Sequence, residues 1–489
     1  MSIDRDSTVA VIGAGAMGSG IAQVAALSGH RAILIDASEA ALDRSRAGIM
    51  AALDKLAQRG RLGAGERDAA LRRLRWSTAL EDAGPAALTI EAIVEDMQAK
   101  RQLFARLEGV VGADAVLASN TSSLPIAGLS AGLARPDRFL GLHFFNPVPA
   151  MKLVEVIAGP DTAPSLAARL SGLMEDWGKV PVRVRDVPGF IVNRVARPYY
   201  AEGFLALAEG IAPQAVDHAL EAAGSFRMGP LALTDMIGHD VNHAVARSVY
   251  DAYAGETRFR PQPAQRALVD AGKLGRKSGA GVYDHRVALP APDFIAPGEE
   301  VGPVAVAADH RGILPLVSAV RDAGMELAEA RDLPVDSLRI GAATLAPGDG
   351  RPLSSRPDVA ILLDHVRDFA AAPTWVVTTR GEADAALAAA FAARLGKRLI
   401  AIPDRPGQIV LRTLAQLANA AADAVTDAVA EADGIDAAMR FGANHPEGPL
   451  AWARRIGPAR LAGILRNIAD ATGDPLYAPS PLFGQGQWQ

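Results

Sequence analysis

Residues 8–36, TVAVIGAGAMGSGIAQVAALSGHRAILID, decide the fold. Residues 8–12 form a short β-branched run of the kind a buried parallel strand uses. The run leads directly into Gly13-Ala14-Gly15-Ala16-Met17-Gly18, and residues 19–27 then read as a helix. A second apolar run at 32–35 ends in Asp36. Strand, glycine turn, helix, strand and acid stand in the order of a dinucleotide site. Gly13 permits the tight turn, Gly15 lets a pyrophosphate approach the backbone, and Gly18 lets helix and strand pack closely. The helix start at Ala16 and Met17 offers backbone N–H groups and a positive dipole end to the phosphates. Asp36 lies 23 residues beyond Gly13. A carboxylate there accepts hydrogen bonds from the adenosine ribose and repels a 2′-phosphate, so NAD is expected over NADP.

Composition bounds what surrounds this unit. At 489 residues the chain is too long for one ordinary core, and two or more packed units are expected. Hydrophobic residues make up 49% and charged ones 21%, which excludes disorder as the main state. A net charge of -5 gives no basic surplus for nucleic acid. The absence of cysteine excludes disulfides, thiolate nucleophiles and cysteine-ligated metals. The start shows no basic segment followed by an apolar stretch, and no run of about 18 apolar residues follows. A cytoplasmic protein with no membrane partner is expected. Only seven of the 50 basic residues are lysines, so arginine clusters carry little functional information.

A second constellation suits alcohol oxidation. Residues 115–118 read as a buried strand ending in Ser119-Asn120-Thr121-Ser122-Ser123, where doubly wound sheets bind ligands. Residues 138–145, RFLGLHFF, read as a strand carrying His143, and 151–157, MKLVEVI, as a strand carrying Glu155. The turn between them, Asn146-Pro147-Val148-Pro149, forbids a helix across the break. Glu155 stands between Val154 and Val156, and a carboxylate in such a run is costly unless paired. His143 is the obvious partner, since a Glu–His pair fixes the imidazole tautomer and stabilises the imidazolium. At 188–194, PGFIVNR starts a long helical stretch with Asn193 as its polar exception, either aimed into the cleft or a helix-start cap. No metal is expected, because none of the nine histidines stands at a metal-ligand spacing with acids.

GAGAMGSGIA, EAIVEDMQAK (91–100), SNTSSLP (119–125), GLHFFNPVPAMKLVEVI (141–157), PGFIVNR (188–194) and KLGRKSGAGVYD (273–284) together resemble the 3-hydroxyacyl-CoA dehydrogenase family. The resemblance runs from about residue 7 to 285 in the family's order. It implies NAD-dependent oxidation of an (S)-3-hydroxyacyl-CoA to the 3-oxoacyl-CoA on a Rossmann-type α/β domain followed by an all-α domain. By the same resemblance His143 is the catalytic histidine and Glu155 its partner. Ser122 holds the substrate oxygen, and Asn193 lies near the histidine and acyl group. Glu95 and Lys100 match positions on the nicotinamide side of the cofactor, and Asn120 and Asn146 join the cofactor contacts. The plainer reading of Lys100 is a surface charge paired with Asp96. The family binds CoA with a helical excursion, here about 39–76, and Arg44, Arg46, Lys55, Arg59 and Arg61 are its candidates for the phosphates.

Some 200 residues then need a second account. Residues 287–303 read as a proline-rich linker, and runs at 304–308, 359–363 and 375–379 as further strands. Gly396-Lys397 precedes Pro406-Gly407 by ten residues, as Gly178-Lys179 precedes Pro188-Gly189. Gly448-Pro449-Leu450 likewise parallels Gly229-Pro230-Leu231. This is a duplicated unit without the chemistry: no glycine fingerprint, no His–Glu pair, and Leu411 where Asn193 stood. The division expected is 1–186 NAD-binding, 187–286 helical, 287–303 linker, 304–403 degenerate α/β, 404–475 second helical repeat and 476–489 tail. The second helical part is expected to stand in for a partner subunit, giving a monomer with an internal pseudo-dimer or else a homo-oligomer. The two-copy layout resembles long bacterial members of phenylacetate degradation that act on 3-hydroxyadipyl-CoA. The alternatives are a 3-hydroxybutyryl-CoA dehydrogenase of fatty-acid or polyester metabolism, an L-gulonate-type dehydrogenase, and a non-catalytic NAD-binding structural protein.

Overall fold

In the computed structural model the opening run becomes β1 (Thr8–Ile12) and the run before Asp36 becomes β2 (Arg31–Ile35), paired in parallel with Ile12 opposite Ile35. The structure describes residues 3–298 and 301–484, so Glu299 and Glu300 of the expected linker and 485–489 of the expected tail lie outside the described residues. The first sheet continues with β3 (Leu74–Ser77), β4 (Ala86–Glu91), β5 (Val116–Ser119), β6 (Phe139–Phe144), β7 (Leu153–Ala158) and β8 (Val180–Arg185). Its order is β3-β2-β1-β4-β5-β6-β7-β8, with every pair parallel except β6 and β7. Strands β1 and β4–β7 are apolar nearly end to end, as a sheet covered on both faces requires. Helix α1 (Ala16–Leu27) covers this sheet through Ile21, Ala22, Val24 and Ala25.

The excursion expected over 39–76 is two helices, α2 (Glu39–Gln58) and α3 (Ala64–Arg73), and it ends in the edge strand β3. That strand had no readable signal, because LRWS is too short and too polar to announce itself. The long helix expected from 188 is broken. A turn carries Gly189 (φ 77) and Phe190 (φ 47), then come a short helix at Val192–Val195 and a longer one at Arg197–Ala208.

Chain compactness divides the described residues into one unit of 3–194 with 427–443 and another of 195–426 with 444–484. The helix Ala432–Gly442, inside the stretch expected as the second helical repeat, packs on β7 and β8 of the first sheet.

The second unit has its own core and a sheet of seven strands: β9 (Val304–Ala307), β10 (Leu327–Ala330), β11 (Leu338–Ile340), β12 (Ala343–Pro347), β13 (Ile361–Leu363), β14 (Thr374–Thr379) and β15 (Arg398–Ala401). Their order is β10-β9-β11-β12-β13-β14-β15, mixed parallel and antiparallel. Within this unit the Arg197–Ala208 helix packs along the helix Val410–Thr426, and the helix Pro213–Ala222 packs on β14. Glu202, buried at 2% exposure, is met there by Arg405 and Arg412 at 3.0 Å each and by the Tyr477 hydroxyl at 2.7 Å. Among the described residues no helix is long and apolar enough to cross a membrane.

Candidate functional site

The chain leaves β1 into a turn only glycine can make. Gly13 has φ 109, and a Cβ added there would stand 2.5 Å from the carbonyl oxygen of Ala92. Gly18 comes so close to Gly13 that a Cβ would meet its carbonyl oxygen at 1.8 Å, which is how α1 lies down against β1. Gly15, by contrast, faces open space, with nothing within 4 Å of an added Cβ, and no side chain caps the start of α1. Asp36 closes the arrangement. One carboxylate oxygen accepts the Ala14 N–H at 2.7 Å and the other the Ser38 N–H at 2.9 Å, tying the end of β2 to the glycine turn. An open cradle, an uncapped helix start at Ala16 and Met17, and a carboxylate at the next strand end are the donor set and space that NAD needs.

At the far strands β6 and β7 run antiparallel with His143 directly opposite Glu155. The imidazole Nδ1 donates to Glu155 Oε2 at 2.6 Å. Glu155 is fully buried, and its Oε1 accepts the N–H groups of Ile191 at 2.9 Å and Val192 at 3.0 Å. Each oxygen of this buried carboxylate is therefore engaged, the condition under which it can be buried at all. With Nδ1 committed to the carboxylate, Nε2 is the ring nitrogen left over. The rings of Phe145 and Phe190 stand 4.4 and 5.9 Å from the imidazole centre.

Beyond β5 the polar loop is gathered by Glu95. Its Oε1 accepts the Thr121 hydroxyl at 2.6 Å, the Ser122 N–H at 2.8 Å and the Ser123 N–H at 3.1 Å. Asn120 Oδ1 accepts the Phe144 N–H at 2.9 Å, joining the ends of β5 and β6. Asn193 donates its amide to the carbonyl oxygen of Ser122 at 3.2 Å, so the turn that holds Glu155 also touches the serine loop. Asn146 is exposed in the turn after β6 and makes no hydrogen bond to these groups among the described residues.

Lys100 is not the surface charge of the plainer reading. It is 1% exposed and bonds Glu91 at 2.5 Å and Glu95 at 3.1 Å, while Asp96 caps the helix α4 (Met97–Val110) by accepting the Ala99 N–H. Burial works to raise the Glu95 carboxyl, but the Lys100 charge and the bonds from Thr121 and Ser122 outweigh it and hold it below its ordinary range. Glu91 was missed in the sequence. It is fully buried at the end of β4 and also accepts the Ser119 hydroxyl at 2.6 Å and the Ile93 N–H at 2.7 Å. Its one signal was an acid closing the apolar run ALTIE.

Lys179, just before β8, donates to the carbonyl oxygens of Val148 at 2.5 Å and Met151 at 2.8 Å and so fastens the turn between β6 and β7. Burial pushes its ammonium down to about 8. Arg44, Arg46, Lys55, Arg59 and Arg61 are all exposed, and nothing in their geometry singles one out for a phosphate.

The sequence matches the model of the 3-hydroxyacyl-CoA dehydrogenase NAD binding domain over residues 8–187. It matches that of the 3-hydroxyacyl-CoA dehydrogenase C-terminal domain over 189–285 and again over 407–485. The 3-hydroxyadipyl-CoA dehydrogenase of Escherichia coli is 40% identical over 482 residues, 98% of this chain and 97% of that one. A probable 3-hydroxybutyryl-CoA dehydrogenase of Deinococcus radiodurans is 42% identical over 276 residues, 56% of this chain and 99% of its own length. The crystal structure of a 3-hydroxybutyryl-CoA dehydrogenase from Escherichia coli superposes with a TM-score of 0.89 at 38% identity, covering 98% of both chains.

Proposed function

The chain belongs to the 3-hydroxyacyl-CoA dehydrogenase family, and from that premise we propose that it oxidises 3-hydroxyadipyl-CoA at C3 with His143 as the general base. NAD-dependent oxidation of a 3-hydroxyacyl-CoA is the activity of the family and of its named relatives. The choice of the adipyl substrate is supported by the likeness to the Escherichia coli 3-hydroxyadipyl-CoA dehydrogenase along almost the whole chain, second half included. The observation that carries the base assignment is the 2.6 Å bond between His143 and the buried Glu155.

His143 Nε2 takes the C3 hydroxyl proton, and Glu155 stabilises the imidazolium across Nδ1 without taking the proton itself. Ile191 and Val192 hold the carboxylate so that its second oxygen stays on the ring. Ser122 is fixed through its backbone by Glu95 and Asn193, and its hydroxyl, which donates weakly to Glu95 at 3.3 Å, turns to the substrate oxygen as that oxygen becomes a carbonyl. Gly13, Gly15, Ala16, Met17 and Gly18 would hold the cofactor pyrophosphate and Asp36 the adenosine ribose. When bound, NAD accepts the hydride that leaves C3.

The second half is read as a duplicate without this chemistry. Val376 pairs with Ile400 as Glu155 pairs with Val182, and the Asp364 N–H bonds the Val376 carbonyl. On that register Asp364 takes the place of His143, Val376 that of Glu155, and Leu411 that of Asn193. The turns agree as well, with Gly407 (φ 71) and Gln408 (φ 53) matching Gly189 and Phe190. Asp364 accepts the N–H groups of Ile409, Val410 and Leu411, so an acid still pins the turn, now from the histidine's strand and with no imidazole to poise. The packing of the Arg197–Ala208 helix on the Val410–Thr426 helix supports the reading that the repeat replaces a partner subunit.

The test is NADH formation by the purified chain with (S)-3-hydroxybutyryl-, longer 3-hydroxyacyl- and 3-hydroxyadipyl-CoA. The highest kcat/KM is expected with 3-hydroxyadipyl-CoA. A preference for 3-hydroxybutyryl-CoA would overturn the substrate, and no turnover of any CoA thioester would overturn the activity.

A further inference from the structure

The turn at 190–194 does two jobs in the site. Ile191 and Val192 give their N–H groups to Glu155, and Asn193 gives its amide to the Ser122 carbonyl. What stands behind that turn comes from residues 427–443, more than two hundred positions later in the chain. Arg194, next to Asn193, has its guanidinium buried at 4% side-chain exposure and paired with Asp427. Gly442 lies against the turn so closely that a Cβ there would meet Val192 Cγ2 at 3.0 Å and Leu153 Cδ2 at 2.4 Å. Leu153 begins β7, two residues before Glu155. Gly434 lies against Val182, the residue paired with Glu155 across β7 and β8, with a Cβ position 3.0 Å from its Cγ1. The Arg185 N–H at the end of β8 donates to the Val429 carbonyl oxygen at 2.9 Å.

Four separate contacts from one later segment thus converge on the strand and the turn that hold Glu155. We propose that residues 427–443 are an in-chain brace for the catalytic carboxylate and that Asp427, through Arg194, is a positioning residue for the reaction. The second repeat has no His–Glu pair of its own, yet it completes the support of the first repeat's pair. The inference rests on the catalytic reading of His143 and Glu155. Its physical basis is that small displacements of a base or of its orienting acid lower turnover steeply, while ground-state binding elsewhere in the molecule is untouched.

The glycine turn and Asp36, which would hold NAD, take no part in these contacts, and that separation supplies the test. In the full-length chain Asp427→Asn removes the charge from a half-exposed side chain, Asp427→Glu keeps it, and Gly442→Val pushes on Val192 and Leu153. Asp427→Asn is expected to lower kcat about tenfold. NAD affinity by fluorescence titration and melting temperature should stay near wild type, and Asp427→Glu should recover most of the loss. Gly442→Val should lower kcat at least as much. Unchanged kcat in both Asp427→Asn and Gly442→Val, with wild type active, would overturn the brace and leave the function standing. Parallel loss of NAD affinity and melting temperature in Asp427→Asn would also overturn it, since the segment would then serve the fold as a whole. A wild-type chain inactive on every 3-hydroxyacyl-CoA would remove the reading of function and this inference with it.

Discussion

The His143 imidazole depends on a carboxylate whose every bond is spoken for. Glu155 accepts Nδ1–H on one oxygen and two backbone N–H groups on the other, all three from donors. In Glu155→Gln one oxygen becomes an NH2, which must then face either the ring N–H or the N–H groups of Ile191 and Val192. On the proposed mechanism the variant thus loses the charge that stabilises the imidazolium and sets donor against donor, while His143→Gln removes the proposed base. Either change should cut kcat by about 10²–10⁴-fold with NAD binding retained, read by NADH absorbance and a separate binding titration. Lys179 supplies a pH test. Its ammonium titrates at about 8 in the folded chain against an ordinary 10.5. Between those values the unfolded chain binds more protons, so stability rises with pH across the window. Denaturant melts should therefore show wild type gaining on Lys179→Met from about pH 8 to about pH 10.5, and a constant difference would contradict the burial account. The pair at 143 and 155 was legible because an acid amid apolar β residues demands a partner. The part of Glu91 was not, because a single acid closing the apolar run ALTIE does not announce that α4 turns back to set Lys100 on it or that β5 brings the Ser119 hydroxyl beside it.

Elements carry a second contrast, between two glycines two residues apart. Gly13 is required by its own backbone, since its positive φ and the Ala92 carbonyl at 2.5 Å leave no room for a methyl. Gly15 has no such constraint, and its value lies in the empty space before the start of α1. Gly13→Ala should cost stability, about 1–3 kcal/mol from backbone strain. Gly15→Val should melt like wild type while weakening NAD at least about tenfold, because the side chain fills the approach to the helix N-terminus. Thermal melts beside NAD titrations check both, and a Gly15→Val chain with wild-type NAD affinity would remove the pyrophosphate from that turn. Strands with strong β-branched runs, such as β1 and β2, were readable from period and punctuation. The edge strand β3 was not, since its four residues take their conformation from pairing with β2. The interruption between Gly189 and Arg197 was passed over although two residues punctuate it, Gly189 at φ 77 and Pro198 in the first turn of the next helix.

For the molecule as a whole, the issue is why a family whose named relatives include one that matches, over 99% of its own length, 276 residues of this chain has a member nearly twice as long. Within the second unit the Arg197–Ala208 helix presents Tyr199 to His445 and the buried Glu202 to Arg405, Arg412 and Tyr477. Ending the chain after residue 290 removes Arg405, Arg412 and Tyr477 together. That uncovers Glu202 and the apolar side chains of this helix together, and the shared burial with the Val410–Thr426 helix is lost. It also removes residues 427–443 from behind β7 and the turn at 190–194. The shortened chain has two ways to recover. It can pair with a second copy through the uncovered helix, or it can stay single with an unsupported site. Light scattering with parallel kinetics distinguishes these, with a dimer or soluble aggregate of reduced kcat as the expected result. A truncated chain that stays monomeric, melts like the parent and keeps full kcat would mean that the second repeat neither replaces a partner nor braces the site.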